Sequence, residues 1–236
     1  MRFDIFTTLP AMFQGPLSES IIKRAVARGL LQIEVHDIRA WTTDKHRTTD
    51  APPFGGGAGM VMKPEPIFMA VEAVLGLEPG APSPTPVILL GPGGERFTQA
   101  LAERLALRPR LALICGHYEG VDDRVRQHLA TDEISIGDYV LSGGELPAMV
   151  VVDTVARLMP GVIKTQSRED ESHTSGLLEY PQYTRPAVFR GMPAPEILLS
   201  GDHAAVDEWR QEQAIRRTAT ARPEMLAAWR ARQEAE

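Results

Sequence analysis

"VILLGPGGERFTQALAERLALRPRLALIC", residues 87–115, decides the fold class of this chain. Two unbroken apolar runs, 87–90 and 111–115, flank a segment, 98–107, with the pattern of a helix. Strands that are apolar along their whole length are covered on both faces, and a strand–helix–strand unit joins parallel neighbours. Outward from this unit, "RFDIFTTL" (2–9) and "LLQIEVHDI" (30–38) alternate as strands do, and "EISI" (133–136) is a further short run. Helices are expected over 18–28, with Ser18 as N-cap and Gly29 as stop, over about 64–75, and near 121–129. The proline-rich "EPGAPSPTP" (78–86) is a connection. This βαβα order predicts an α/β fold with a parallel sheet between two layers of helices. From 164 to 185 the chain turns polar and irregular, and from 194 onward only helix patterns remain. The expected organisation is an α/β domain over 1–163, a linker over 164–185 and a small all-helical domain over 186–236.

Bulk composition narrows the class. At 236 residues, 43% of them hydrophobic and 24% charged, the chain can bury the core of one large or two modest globular domains. No apolar run reaches the roughly 18 residues of a membrane span, and Cys115, the single cysteine, sits inside "LALIC" as a buried thiol suited to a reducing compartment; both point to the cytoplasm. A formal charge of −6 speaks against non-specific nucleic-acid binding, but net charge hides distribution. Six arginines fall between Arg210 and Arg232, and planar guanidinium forks suit phosphates and base edges, although a general bias toward arginine explains any single one equally well. The six histidines are scattered and Cys115 has no partner, so no metal site is expected. A dependence on Mg2+ leaves no readable mark.

Ligands of parallel sheets collect beyond the carboxyl ends of the strands. Three expected strands end in glycine-bearing loops: "LLGPGGE" (89–95), "CGHYEG" (115–120) and "SIGDYVLSGGE" (135–145). None carries the dinucleotide fingerprint or the Gly-Lys-Ser/Thr ending of a phosphate loop. One glycine turn needs no ligand to explain it. Three at one sheet edge suit the close approach of backbone to a flat molecule, with Tyr139, Val140 and Leu141 as an apolar wall. That describes an adenine pocket better than a phosphate cradle.

Five segments together, "GGGAGM" (55–60), "CGHYEGVDDR" (115–124), "EISIGDYVLSGGELPAM" (133–149), "VARLMPGV" (155–162) and "GLLEYPQYTRP" (176–186), resemble the bacterial tRNA (guanine-37-N1)-methyltransferase family, TrmD, of the SPOUT class. The resemblance implies S-adenosyl-L-methionine as methyl donor and, as acceptor, the guanine next to the anticodon. It also implies a homodimer with active sites at the subunit interface and a donor-binding region folded as a deep trefoil knot. Its donor-binding positions fall on Gly116, Tyr118, Ser135, Ile136, Gly137, Asp138, Tyr139, Val140 and Leu141, on Gly143, Gly144 and Pro147, and on Leu89, Leu90, Gly91 and Pro92 as the facing wall. Asp138, between a strand and a helix, equally suits a turn-former or cap.

The reaction sets its own requirements. Guanine N1 carries a proton at neutral pH, so methylation needs a general base near N1 and a cation or donor where charge grows on O6. The resemblance places Arg157 at O6, while an i,i+4 ion pair with Asp153 is the ordinary alternative. It places a site carboxylate at Glu119, otherwise a solvated loop residue. Where the family carries an aspartate followed by Ser-Phe, this chain has Glu171, with His173 replacing the aromatic and a linker one residue shorter; Asp170 is the rival base. For RNA, Lys45, His46, Arg47 and Lys63 surround the glycines Gly55, Gly56 and Gly57. Arg185 and the arginines of the last helices, Arg217 among them, are candidates to grip the anticodon stem-loop; amphipathic packing with arginines facing water is the alternative. A non-catalytic RNA-binding protein would not need the donor pocket, and a ribose methyltransferase would not need the base.

Overall fold

The computed structural model of this chain describes residues 1–163, 172 and 175–234. Its contacts divide the chain into two units, Met1–Ile163 and Lys164–Glu236.

In the first unit, β1 (Arg2–Thr7), β2 (Gln32–Asp37), β5 (Val87–Arg96), β6 (Arg110–Cys115) and β7 (Asp132–Ser135) form one parallel sheet in the order β2-β1-β6-β5-β7. Each overlaps a segment that the sequence marked as a strand, and β5 runs on to Arg96, past the apolar run 87–90. The period of two sorts its residues between two cores. Ile88, Leu90, Leu111 and Leu113 pack with residues of α1 (Ser20–Ala27), α3 (Gln99–Ala106) and α5 (Glu145–Leu158). Val87, Leu89, Ala112 and Ile114 pack with α2 (Pro64–Leu75) and α4 (Asp123–His128). Each buried Leu, Ile, Val or Phe stabilises the layer by about 1.5–3 kcal/mol relative to exposure. Both faces are therefore covered, as the unbroken apolar runs require.

Polar positions inside such a sheet need partners. Asp4 on β1 is fully buried and accepts from Arg2, Arg110 and His36, at 2.7–2.9 Å. Burial pushes its pKa up, but the hydrogen bonds from His36, Arg2 and Arg110 outweigh that and hold the carboxyl well below the usual carboxylate range.

Two details differ from expectation. Ser18 does not cap α1: it closes the 3-10 turn Pro16–Ser18, its hydroxyl donates to the carbonyls of Gln14 and Gly15, and Glu19 occupies the cap position without a side-chain bond. Local back-bonding captured the hydroxyl that an N-cap would have used. A two-stranded pair, β3 (Asp50–Ala51) with β4 (Val61–Met62), also closes the base of the glycine-rich loop.

The second unit is built on α6 (His203–Ala221) and α7 (Pro223–Gln233), around Leu177, Ala214 and Leu226. It departs from the all-helical expectation in one place. Antiparallel β8 (Val188–Phe189) and β9 (Met192–Pro193) form a hairpin, because Arg190 (φ 50°) and Gly191 (φ 78°) both take the left-handed conformation that a two-residue turn of this kind requires.

Candidate active site

Three strand ends meet at one rim of the sheet. At the first, Leu90 and Glu95 of β5 both pair with Ile134, so residues 91–94 leave the ladder as a four-residue excursion. Gly94 makes that return possible, since a Cβ there would strike the backbone of Glu133 and Ile134. At the second, β6 gives way to a turn in which Tyr118 takes φ 59°. That turn is laced to the glycine-rich loop: Glu119 N donates to Met60 O at 3.1 Å, Met62 N to Gly120 O at 2.9 Å and Asp122 N to Met62 O at 3.0 Å.

At the third, the chain leaves β7 through Gly137, whose φ of 152° favours glycine, and runs back across the rim to β6. There Gly144 N donates to Gly116 O at 2.7 Å, and Gly143 forms an antiparallel bridge with His117. The Ser135 hydroxyl donates to Gly137 O at 3.1 Å, steadying the departure from β7.

These loops enclose a cavity of about 340 Å³, within the size range of small-molecule sites. Leu89, Leu90, Gly91 and Pro92 line one side. Gly116, Tyr118 and Glu119 line another. The return strap contributes Ser135, Ile136, Gly137, Tyr139, Val140, Leu141, Gly143 and Gly144, with Pro147 from α5. Tyr139 and Val140 are 56% and 90% exposed, an apolar surface left open for something to cover. The predicted pocket residues thus come together, with one exception. Asp138 does not line the cavity: its side chain is 90% exposed and faces Arg96 at 3.9 Å. The strap turns outward there, in keeping with the turn-former reading.

Arg157 is in the last turn of α5, about 15 Å along the helix axis from Pro147 at ~1.5 Å per residue, and does not line the cavity. Glu171 and Asp170 fall outside the described residues, as does His173. Lys45, His46 and Arg47 are exposed in a turn whose Asp44 carboxylate accepts from the backbone of His46 and Thr48. Gly55, Gly56 and Gly57 follow, with φ of 85°, 79° and 135°. In the second unit Arg185 is exposed and Arg217 donates to the Glu179 carbonyl at 3.1 Å. Lys45, His46, Arg47 and Gly55, Gly56 and Gly57 do not line the cavity.

Sequence reasoning missed the acid beneath the strap. Glu145, the first residue of α5, is 1% exposed; the Thr7 hydroxyl donates to its Oε1 at 2.8 Å, and His117 Nδ1 stands 3.7 Å from its Oε2. The helix N-terminus favours negative charge at this spot. His117 lines the cavity while its Nδ1 is buried with no hydrogen-bond partner among the described residues. A Cβ at Gly143 would displace the side chains of Glu145 and His117. The available signal was an acid in the first helical turn after Gly-Gly, but only the fold reveals that Thr7 and His117 converge on it. Neighbouring Cys115 is wholly buried; burial pushes its thiol pKa well up, and the Glu145 charge adds to the shift, so it stays a protonated, inert thiol. Among the described residues, no cluster of His, Cys, Asp and Glu could hold a metal ion, and no helix is long and apolar enough to cross a membrane.

Comparisons with known proteins agree on one family. The family described as tRNA (Guanine-1)-methyltransferase TrmD matches residues 1–228. A Thermomicrobium roseum protein named tRNA (guanine-N(1)-)-methyltransferase is 62% identical over 227 residues, covering 96% of this chain and 84% of that protein. Proteins of the same name are 60% identical in Chloroflexus aggregans (96% of this chain, 88% of the relative) and 59% in Geobacillus kaustophilus (96% and 91%). With the match running from the first strand into the last helix, this chain belongs to the tRNA (guanine-1)-methyltransferase TrmD family.

Proposed function

We propose that this chain is an enzyme that transfers the methyl group of S-adenosyl-L-methionine to N1 of guanine 37 in tRNA, next to the anticodon. The observation that carries this reading is the cavity formed by three glycine-bearing strand ends, in a member of a tRNA guanine-N1 methyltransferase family. Backbone amides and carbonyls freed at those ends suit the polar edge of an adenine, and Tyr139, Val140 and Leu141 suit its faces. The donor supplies an electrophilic methyl group on a sulfonium. The chain must do the rest: hold the donor, remove the N1 proton and neutralise charge on O6. In this reading Glu171 takes the proton, with Asp170 as the rival, Arg157 meets O6 and Glu119 at the cavity rim orients the base.

The distance between Arg157 and the cavity supports a homodimer. Leu146 and Val150, 50% and 41% exposed, lie on the same helical stripe of α5 as Asp153 and Arg157. A second copy packed on this stripe would bring one copy's Arg157 to the other's cavity, which makes the site an interface site. The strap's path, from β7 at the sheet edge back to the end of β6 and into α5, supports the deep trefoil knot of the SPOUT class. Lys45, His46, Arg47 and the glycines 55–57 serve as RNA contacts, with Arg185 and Arg217 of the second unit on the anticodon stem-loop. The substrate sets the work in the cytoplasm.

The test is methylation of tRNA transcripts, with and without the guanine after the anticodon, by purified protein and donor, read by nucleoside mass spectrometry. 1-Methylguanosine from the guanine-bearing transcript alone is expected. Methylation of a ribose oxygen, or none, overturns the reading.

A further inference from the structure

Phe54 lies in the loop between β3 and β4 and is 97% exposed. A phenylalanine so placed forgoes the burial from which this side chain normally gains most. The surrounding backbone holds it there. Gly55, Gly56 and Gly57 follow in positive-φ conformations that L side chains rarely adopt, so the chain turns sharply away and leaves the ring projecting. Nor does the loop stand apart from the cavity. Its return limb is laced to residues 119–122 by the three backbone hydrogen bonds described above, and Gly59 packs so closely on the Glu119 side chain that a Cβ would collide with it. Glu119 lines the cavity, so the Phe54 loop is fixed to the cavity rim.

Exposed basic side chains flank the base of the same loop. Arg39 and Arg47 each donate to the other's carbonyl, at 3.4 and 3.2 Å, which holds the two guanidinium-bearing segments side by side. Lys45, His46 and Arg47 are exposed, whereas the Asp44 carboxylate is occupied by backbone and hydroxyl groups of its own turn and Asp50 is half-buried in β3. A projecting aromatic face beside exposed cations is the combination that binds unpaired nucleotides, the ring stacking on a base and the cations meeting phosphate.

We propose that Phe54 is a stacking platform for the nucleobase adjoining the methylated guanine. The inference rests on the RNA methyl-transfer reading above and assigns it a residue that the sequence motifs did not. Drawing a guanine into a pocket uncovers the face of its neighbour, and an aromatic ring fixed at the rim covers that face again.

The experiment compares wild type with Phe54→Ala and Phe54→Trp in steady-state methylation of the anticodon stem-loop. Binding of the stem-loop without donor, donor affinity by calorimetry and oligomeric mass are measured alongside. Phe54→Ala should raise KM for RNA and weaken stem-loop binding by roughly tenfold or more, leaving donor affinity, mass and kcat at saturating RNA unchanged, and Phe54→Trp should retain near wild-type values. In wild type, an abasic site on one side of the guanine should reproduce the Phe54→Ala defect and add nothing to it. Unchanged RNA binding in Phe54→Ala overturns the proposal, and so does a defect that adds in full to that of either flanking abasic site. A fall in oligomeric mass overturns it in favour of a contact between copies. Should wild type bind the stem-loop and yet not methylate it, the catalytic reading fails, while the binding comparison still decides the role of Phe54.

Discussion

Gly144→Ala isolates the strap's attachment to the sheet. Gly144 has φ −78° and ψ −2°, a conformation open to alanine, so the substitution introduces no backbone strain. What it introduces is a collision: the new Cβ would lie 2.8 Å from Cys115 Cα, 3.0 Å from Gly116 N and 3.3 Å from Cys115 C. Carbon contacts are comfortable from about 3.5 Å, so the strap has to retreat from β6 by roughly 0.7 Å. These obstacles are backbone atoms in the central strand of a packed sheet, and they cannot rotate aside. Overpacking of this kind costs about 1–3 kcal/mol, and the Gly144–Gly116 hydrogen bond, 2.7 Å in the native chain, lengthens with it. Alanine returns only about 0.4–1 kcal/mol by restricting the unfolded chain. A net destabilisation of about 1–2 kcal/mol should appear in urea unfolding. Because the same strap carries Tyr139, Val140 and Leu141, calorimetric titration should show donor affinity about tenfold weaker, the equivalent of ~1.4 kcal/mol. Gly15→Ala is the control, with φ −79° and nothing within 4 Å of the added methyl. If Gly144→Ala matched Gly15→Ala in both assays, the close approach of strap to sheet would not hold the pocket together.

Three further outcomes are expected, two from the geometry and one from the proposed reaction. Asp4, ionised in the folded protein well below the usual carboxylate range, contributes stability that is complete above the unfolded value and is lost as pH falls toward the folded one; Asp4→Asn should flatten the decline in unfolding free energy below about pH 5 and cost about 2–3 kcal/mol at pH 7, the cations around it being partly exposed. Glu145→Ala, which leaves the buried Thr7 hydroxyl without its acceptor, should destabilise by about 2–4 kcal/mol in urea, and Glu145→Gln by markedly less; equal losses would deny the Thr7 hydrogen bond its role. Glu171→Gln should abolish turnover with donor affinity nearly unchanged, and full activity in that variant would move the base to Asp170 or elsewhere.

Much of the first unit was legible in one dimension. Apolar runs such as 87–90 and 111–115 report burial on both faces directly, and the glycines at 94, 137 and 144 mark places where a close backbone approach or a positive φ excludes a side chain. The hairpin at 188–193 was less visible, since its turn places Arg190, not a usual left-handed residue, beside Gly191.

The parallel α/β class, the approximate places of the five strands and the glycine-bearing rim were readable from the chain alone, because each rests on the burial or conformational freedom of residues close together in it. Tertiary structure alone decided the strand order β2-β1-β6-β5-β7, and with it which loops share a cavity. It also decided that Asp138 turns outward, that Glu145 is buried between Thr7 and His117, and that Arg157 lies at the far end of α5 from the pocket. Those outcomes depend on contacts between residues as far apart as Thr7 and Glu145, and a local pattern of polar and apolar residues carries no record of which distant segment will pack against it.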